Sequence, residues 1–478
     1  MSTLESETSK KRFPAIILVV LIIGFALLGA AYYLAPRFER TKPQIKLPDA
    51  AVLGRAPVEI VVSDRGAGLK SLSVTLVAGG TEHTLASEQY TQPPAEKKIT
   101  VALPSNLEGI KDGPAVLRVS ARDASLWNFS HGNERVVQKD LSIDLTPPSI
   151  ELLADDRYVN FGGVGAIVYK ASADTAASGV RIGEHFFPGF RGQIKGYADR
   201  YIAFFTHAYD LPPDAKAVLV ATDKAGNTGD MPVVYILKQV RYRKSTIAIS
   251  DKFIQNKVAP LLNDEGARQG APKDVFVAVN HKLRKENEDK IAGITKKATP
   301  ALLWTGAFSQ LSNSKVEANF ADQRTYTYKG EAIDAARHLG YDLSVTKHYP
   351  VEAANSGAVA YAGDLGIYGN VVILDHGLGL FTLYGHLSSI DRKVGDPVKQ
   401  GQILGKTGET GLAAGDHLHF GVYLHGVAVL PVEWWDPKWI HDNIEPKLGG
   451  RRNVVEAEAQ PLQARPEAAP KKLRKAQR

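Results

Sequence analysis

The chain has 478 residues, a formal net charge of +7 and no cysteine. This length implies two to four domains at roughly 100–200 residues each, and a composition of 44% hydrophobic and 23% charged residues excludes wholesale disorder. The absence of cysteine excludes a disulfide framework, a cysteine-ligated metal site and a thiol nucleophile.

The first predicted element is a membrane anchor. Residues 13–35 contain no charged side chain, and a helix of that length, at about 1.5 Å per residue, would span the roughly 30 Å hydrocarbon core. Basic residues flank both ends, so their number does not decide the topology. We predict a cytoplasmic tail (1–12), a retained single-pass anchor in a bacterial inner membrane and a periplasmic or otherwise extracytoplasmic remainder. A cleaved signal peptide and a buried core helix are the alternatives.

Short strand patterns separated by turn residues follow the predicted anchor. A weak repeat at an offset of 100 residues relates 115–123 to 215–223, and a proline-rich linker at 144–148 lies between the copies. We predict two β-sandwich modules, 45–146 and 147–240, which resemble bacterial immunoglobulin-like domains. The interpretation is a spacer or a cell-wall-binding arm, and the alternative is a pair of folded modules without a ligand site.

The second half of the chain has a helical pattern, then a strand pattern and finally a basic tail. Residues 241–300 carry apolar residues at spacings of three and four among many charged ones, which predicts a short helical bridge. The strand pattern returns over 301–445. The tail 447–478 holds nine Lys or Arg and three acidic residues, which accounts for most of the net charge. We predict that this tail is disordered, and its lack of interleaved aromatic residues argues against nucleic-acid binding.

The candidate chemistry lies in the histidines, since eight of the 13 fall between His338 and His441. His338 and Asp342 are four residues apart. His417 and His419 would face the same side of a strand, because alternate residues share a face. A catalytic zinc site usually has three protein ligands and leaves a fourth position for water. His338, Asp342 and one member of the His417/His419 pair would supply such a set.

These motifs resemble those of the lysostaphin-type (LytM) zinc endopeptidases, which cut the peptides of bacterial peptidoglycan. That family is marked by H-x-x-x-D, a later Y-x-H and a final H-x-H, and the resemblance covers residues 301–441. The matching residues are His338 with Asp342, Tyr384 with His386, and His417 with His419.

The resemblance implies that His338, Asp342 and His419 bind one Zn²⁺ ion per chain. It also implies that His386 and His417 are catalytic. One of these two would take the proton of the zinc-bound water, which is the nucleophile, and the other would stabilise the tetrahedral intermediate. The sequence departs from the family at 320–324, which matches the family's F-G-x-R only loosely, and at the longer insert 325–336. These departures leave the substrate groove undefined.

The resemblance therefore implies a zinc metalloendopeptidase that hydrolyses the peptide cross-links of peptidoglycan. Other wall hydrolases or envelope proteins are candidate partners. The alternative is an autoinhibited or non-catalytic wall-binding regulator of other cell-wall hydrolases. The predicted fold is mainly β: an N-terminal transmembrane helix, two immunoglobulin-like modules, a helical bridge and a β-rich lysostaphin-type peptidase domain.

Overall fold

The computed structural model describes residues 12–104 and 109–449. Nearly all of the predicted tails, 1–12 and 447–478, lie outside these residues. The described chain is mainly β, as predicted. It divides into an N-terminal unit (1–148, 174–176 and 222–229) and a C-terminal unit (149–173, 177–221 and 230–478).

The first helix, α1 (Arg12–Leu34), covers the predicted anchor. Among the described residues, no helix is both long and apolar enough to cross a membrane. This finding contradicts the transmembrane anchor predicted at 13–35 and, with it, the predicted single-pass inner-membrane localisation.

The N-terminal unit contains two sheets, with strand orders β2–β8–β7–β4–β5 and β1–β3–β6. The strands are β1 (Gln44–Lys46), β2 (Val52–Leu53), β3 (Val58–Ser63), β4 (Leu69–Ala78), β5 (Thr81–Gln89), β6 (Glu96–Val101), β7 (Gly113–Asp123) and β8 (Glu134–Ile143), with short helices at Ala35–Phe38 and α2 (Trp127–Ser130). Alternate residues of β4 and β7, such as Val74 and Val119, are buried against Ile60 of β3. The two sheets therefore share one core, as in a sandwich. Their immunoglobulin-like relationship stays a prediction.

Further sheets begin the C-terminal unit, with orders β14–β15–β11–β9, β13–β12–β16–β17 and β10–β18. Their strands are β9 (Ile150–Ala154), β10 (Tyr158–Asn160), β11 (Val164–Ala171), β12 (Thr175–Ile182), β13 (His185–Pro188), β14 (Phe190–Arg191), β15 (Tyr201–Thr206), β16 (Ala217–Asp223), β17 (Thr228–Val233) and β18 (Ile236–Lys238). Strand β15 is apolar and almost wholly buried, which is the pattern of a strand covered on both faces.

A helical segment follows strand β19 (Lys244–Ile249). It consists of α3 (Asp251–Phe253), α4 (Glu265–Arg268), α5 (Pro272–Val277) and α6 (Arg284–Thr295), joined by helical turns at Ile254–Val258, Ala259–Leu261 and Ala278–Leu283. The side chain of Ser250 caps α3 by accepting the N–H of Phe253, and Pro272 begins α5, where its missing N–H is not needed. Val275, Phe276 and Ile291 are buried, so the segment packs an apolar face against the core.

The remaining strands form an eight-stranded sheet, β20–β23–β31–β27–β26–β25–β29 with β32 beside β31, and the smaller sheets β19–β21–β22 and β24–β30–β28. The strands are β20 (Lys315–Ala318), β21 (Asp322–Tyr328), β22 (Glu331–His338), β23 (Tyr341–Ser344), β24 (Pro350–Glu352), β25 (Gly357–Asp364), β26 (Asn370–Asp375), β27 (Leu380–Leu387), β28 (Ser389–Ile390), β29 (Pro397–Val398), β30 (Ile403–Lys406), β31 (Leu418–Leu424) and β32 (Val427–Val429). Short helices lie at Gly366–Tyr368, α7 (Pro431–Trp435), α8 (Pro437–Trp439), Ile440–Ile444 and Glu445–Leu448. Every residue of β27 and β31 is buried, so these central strands are a rigid base for side chains at their ends.

Candidate metal and catalytic site

Neighbouring strands bring the five predicted site residues together. In the sheet register, Asp342 of β23 lies opposite His419 of β31, and His419 lies opposite Gly385 of β27. His386 follows Gly385 directly, and His338 is the last residue of β22. The strand order β23–β31–β27 therefore joins motifs that are distant in sequence.

Three candidate ligand atoms converge at this point. His338 Nε2 lies 2.9 Å from Asp342 Oδ1 and 3.0 Å from His419 Nδ1, and His419 Nδ1 lies 3.1 Å from Asp342 Oδ1. A tetrahedral zinc ion with bonds of about 2.0–2.1 Å holds its ligand atoms about 3.3 Å apart, so a slight outward movement would make the triangle fit. Two imidazoles and one carboxylate also suit zinc chemically. We call these three residues the histidine triangle.

The two histidines of the triangle are supported differently. His338 Nδ1 donates to the backbone oxygen of Asn319 at 2.9 Å, which leaves the Nε2 lone pair for the triangle. His419 Nε2 is buried and has no hydrogen-bond partner among the described residues. It lies against Gly340, where a β-carbon would come within 2.7 Å of the ring. At Nε2, packing against Gly340 takes the place of a hydrogen bond in orienting the His419 ring.

Asp342 is held as a carboxylate. Arg324 Nη2 donates to Asp342 Oδ2 at 3.0 Å, which leaves Oδ1 for the histidines. Burial raises the pKa of Asp342, but the neighbouring imidazoles, His338 first among them, outweigh burial and hold that pKa well below its usual value. An ionised carboxylate is the form that a metal ion requires.

His386 and His417 lie beside the triangle, with ring centroids 4.8 Å apart. His386 Nδ1 donates to the backbone oxygen of Thr410 at 2.8 Å, and His417 Nδ1 donates to that of Gly415 at 2.8 Å. These bonds leave Nε2 of each neutral ring as an acceptor. Nε2 of His417 lies 3.5 Å from Asp342 Oδ1.

The two rings differ in their affinity for a proton. Burial, helped by the nearby His417 and His419, lowers the pKa of His386 well below its usual value. Burial also acts to lower the pKa of His417, but the Asp342 carboxylate outweighs it and the pKa of His417 is raised. His386 is therefore held neutral, whereas His417 is suited to gain a proton.

The backbone at His386 has an unusual conformation. Its φ of 62° lies in the left-handed region, which costs a non-glycine residue about 1–2 kcal/mol. Gly408 packs against this turn, and a β-carbon there would come within 2.8 Å of the His386 carbonyl oxygen. Backbone strain at a buried imidazole is typical of functional positions.

A cavity of about 260 Å³, which we call the histidine cavity, opens onto the five residues. Residues that the sequence analysis did not assign to the site also line it: Ile247, Ile249, Phe253, Phe276, Arg284, Arg324 and Tyr326. The sequence interpretation missed these lining residues, because it assigned 241–300 to a bridge and left the groove undefined. The apolar positions within that bridge were the available signal.

Comparisons with known proteins match the same part of the chain. Residues 336–431 match Peptidase family M23. The DD-carboxypeptidase/endopeptidase Mpg of Neisseria meningitidis is 38% identical over 95 residues, which is 20% of this chain and 22% of that protein. The peptidoglycan DD-endopeptidase ShyA of Vibrio cholerae is 32% identical over 115 residues, which is 24% of this chain and 26% of that protein. The match thus spans about a quarter or less of these relatives.

A solved structure matches as well. The catalytic domain of the antimicrobial peptidase lysostaphin from Staphylococcus simulans is 32% identical, with 26% of this chain and 92% of that chain covered and a TM-score of 0.22. The predicted membrane anchoring and immunoglobulin-like modules gain no support from these comparisons. The segment matched to the family contains the histidine triangle together with His386 and His417. The C-terminal part of this chain is therefore a Peptidase family M23 domain.

Proposed function

We propose that this protein is a zinc-dependent endopeptidase that hydrolyses the peptide cross-links of bacterial peptidoglycan. The observation that carries the proposal is the histidine triangle, with its three ligand atoms 2.9–3.1 Å apart and two further imidazoles beside it. The family match supports a peptidase, and relatives named as peptidoglycan DD-endopeptidases support the substrate class. Because all five residues are present, the non-catalytic alternative is not favoured.

His338, Asp342 and His419 would hold the zinc ion. Bound zinc supplies a Lewis acid that polarises a carbonyl group and acidifies water. Asn319 fixes the His338 ring so that Nε2 is the ligand atom, and Arg324 occupies the outer oxygen of Asp342 so that Oδ1 is the ligand atom. The chain thereby presents one lone pair from each residue.

His417 and His386 take separate roles in proton transfer. His417 accepts the proton of the attacking water at Nε2, since a raised pKa brings the ring closer to the working pH. It then donates that proton to the leaving amine. His386 stays neutral and accepts a hydrogen bond at Nε2, which orients the water. The carbonyl of Thr410 holds the His386 ring for this role.

The test uses the purified full chain, loaded with zinc and incubated with intact peptidoglycan, with products identified by mass spectrometry. We expect peptides with new termini, loss of cleavage on chelation and recovery when zinc is restored. His338→Ala should be inactive. His441→Ala removes an exposed histidine that is paired with Asp442, and should retain activity. Full activity of His338→Ala, or of the fully chelated protein, would contradict the proposal.

A further inference from the structure

We propose that Arg284 binds a carboxylate group of the peptide substrate and thereby selects which peptides are cleaved. The inference rests on the proposed peptidase function. Arg284 is the first residue of α6 and lies outside the 336–431 family match. The site that it forms would therefore lie outside the part of the chain that is matched to the family.

Arg284 lies where two cavities adjoin. It lines the histidine cavity and also a neighbouring polar cavity of about 410 Å³. Leu339, which follows the ligand candidate His338, lines both cavities as well. A peptide held in the histidine cavity and extending into the neighbouring one would thus pass the guanidinium of Arg284.

A buried amide orients this guanidinium without neutralising it. Arg284 Nη2 donates to Asn280 Oδ1 at 2.8 Å, and Nε donates to the Asn280 backbone oxygen at 3.2 Å. Asn280 is only 2% exposed, and its Nδ2 donates to Asp334 Oδ2 at 2.9 Å. The guanidinium is thereby fixed in direction, and its positive charge is retained.

The carboxylate that lines the histidine cavity is already paired with another arginine. Asp342 is the carboxylate that lines this cavity, and Arg324 is paired with it at 3.0 Å. Among the described residues, no carboxylate lies within the 4.0 Å of an ion pair with Arg284. Glu288, one turn later on α6, lines the neighbouring cavity; burial raises its pKa, and its attraction to Arg284 opposes that rise.

A carboxylate is the ligand that this arrangement fits best. The planar guanidinium can donate two parallel hydrogen bonds to a carboxylate, and a charge-assisted pair is stronger in a site that excludes water. Phe253 and Phe276 provide apolar walls of the histidine cavity. A peptide substrate can supply the carboxylate from its C-terminus or from a side chain, and these two sources can be separated by experiment.

The experiment compares three versions of one cleavable peptide: free acid, C-terminal amide and side-chain amide. We expect the full chain to prefer the free acid by about 10–100-fold in kcat/KM, since a hydrogen bond to a charged group contributes about 1.5–3 kcal/mol. Arg284→Met should abolish this preference mainly through KM, and Arg284→Lys should keep part of it. Lys282→Met, which removes an exposed charge from the preceding turn, should leave the preference intact. The amide that is cleaved less efficiently than the free acid identifies which carboxylate Arg284 binds.

Binding to the metal-free full chain gives a second measurement that does not depend on cleavage. Calorimetry should show tighter binding of the free acid than of the discriminated amide, and Arg284→Met should remove the difference. Equal cleavage and equal binding of acid and amide by the wild type would overturn the inference, as would a preference retained in Arg284→Met. If acid-selective binding through Arg284 is found without cleavage of any peptide, the inference stands and the proposed function fails.

Discussion

The histidine triangle and an acidic cluster in the N-terminal unit look alike in one respect only. The acidic cluster consists of Glu39, Asp64 and Asp123, and each group brings three candidate ligand atoms within 4.8 Å of one another. In the histidine triangle the candidate ligand atoms contact mainly one another. The neighbouring hydrogen bonds are made by other atoms, such as His338 Nδ1.

The carboxylates of the acidic cluster hold loops together instead. Asp123 Oδ1 accepts the backbone N–H groups of Ser125 and Asn133 at 3.0 and 2.8 Å. Asp64 Oδ2 accepts the N–H of Gly68 at 2.7 Å. Proximity of ligand-type side chains therefore does not define a reactive site. The difference lies in whether their lone pairs already satisfy backbone donors.

The largest difference between variants is expected within the H-x-H motif. His419→Ala removes a candidate ligand, so we expect zinc to be lost, with an affinity decrease larger than the about 10–100-fold typical of an outer-shell change. His417→Ala removes a proton acceptor, so we expect zinc to stay bound while kcat falls about 10²–10⁴-fold. Metal analysis and peptide hydrolysis measured on both variants separate the two roles. Loss of zinc from His417→Ala alone would reverse the assignment.

The second test concerns Arg324, which lies at the edge of the histidine triangle. Arg324→Met frees Asp342 Oδ2 from its bond at 3.0 Å, so the carboxylate loses its fixed orientation. We expect zinc affinity to fall by about 10–100-fold while the fold is retained. Competition with a chelator measures this change. Lys315→Met, at an exposed position paired with Glu317, serves as the control. Unchanged affinity in Arg324→Met would leave Arg324 with a packing role only.

The sequence allowed prediction of the residues that converge, because strand alternation and motif spacing are local properties. His417 and His419 share a face on any strand. His338 and Asp342 are four residues apart, at the end of β22 and near the start of β23. The mainly β fold was predictable for the same reason. The anchor prediction rested on hydropathy alone, and the described helix does not support it.

The residues that shape the groove were not predictable, because they depend on long-range packing. Phe276 and Arg284 belong to a segment whose spacing indicates a surface helix, and no local pattern places them at the histidine cavity. At 320–324, where the sequence matches the family motif only loosely, the backbone is also unusual. Ala321 has a φ of 56° where the family motif has glycine. Ala321 donates its N–H to the backbone oxygen of His338 at 2.6 Å. The departure therefore adjoins the site, but it leaves the position of His338 intact.

For the acidic cluster we expect an effect on stability and none on catalysis. Asp123→Ala leaves the N–H groups of Ser125 and Asn133 without their acceptor, which should cost about 1–3 kcal/mol of unfolding free energy. Denaturant unfolding measures the change, and Asp49→Ala at an exposed position serves as the control. Peptide hydrolysis should be unchanged. Loss of hydrolysis in a folded Asp123→Ala variant would show that the cluster is not purely structural.

The smallest effect that we expect is on the pH dependence of stability, which should have opposite signs for Asp64 of the acidic cluster and Asp342 of the histidine triangle. Burial raises the pKa of Asp64 to about 6, the nearby Glu39 carboxylate adds to this, and the Gly68 N–H opposes it. The unfolded value is about 3.9, so between pH 4 and 6 the folded state binds more protons and stability falls as pH rises. Asp342 behaves in the opposite way. Its lowered pKa gives stability that is present above about pH 4 and is lost as pH falls.

Asp64→Asn tests that sign, because the amide oxygen can still accept the Gly68 N–H while the titration is removed. Relative to the wild type, we expect the variant to gain on the order of 1 kcal/mol as pH rises from 4 to 7. Unfolding curves measured across this range provide the data, and Asp140→Asn at an exposed position should show no such gain. A variant that instead loses stability as pH rises would mean that Asp64 is stabilised as a carboxylate. The acidic cluster would then resemble the histidine triangle in its electrostatics as well as in its spacing.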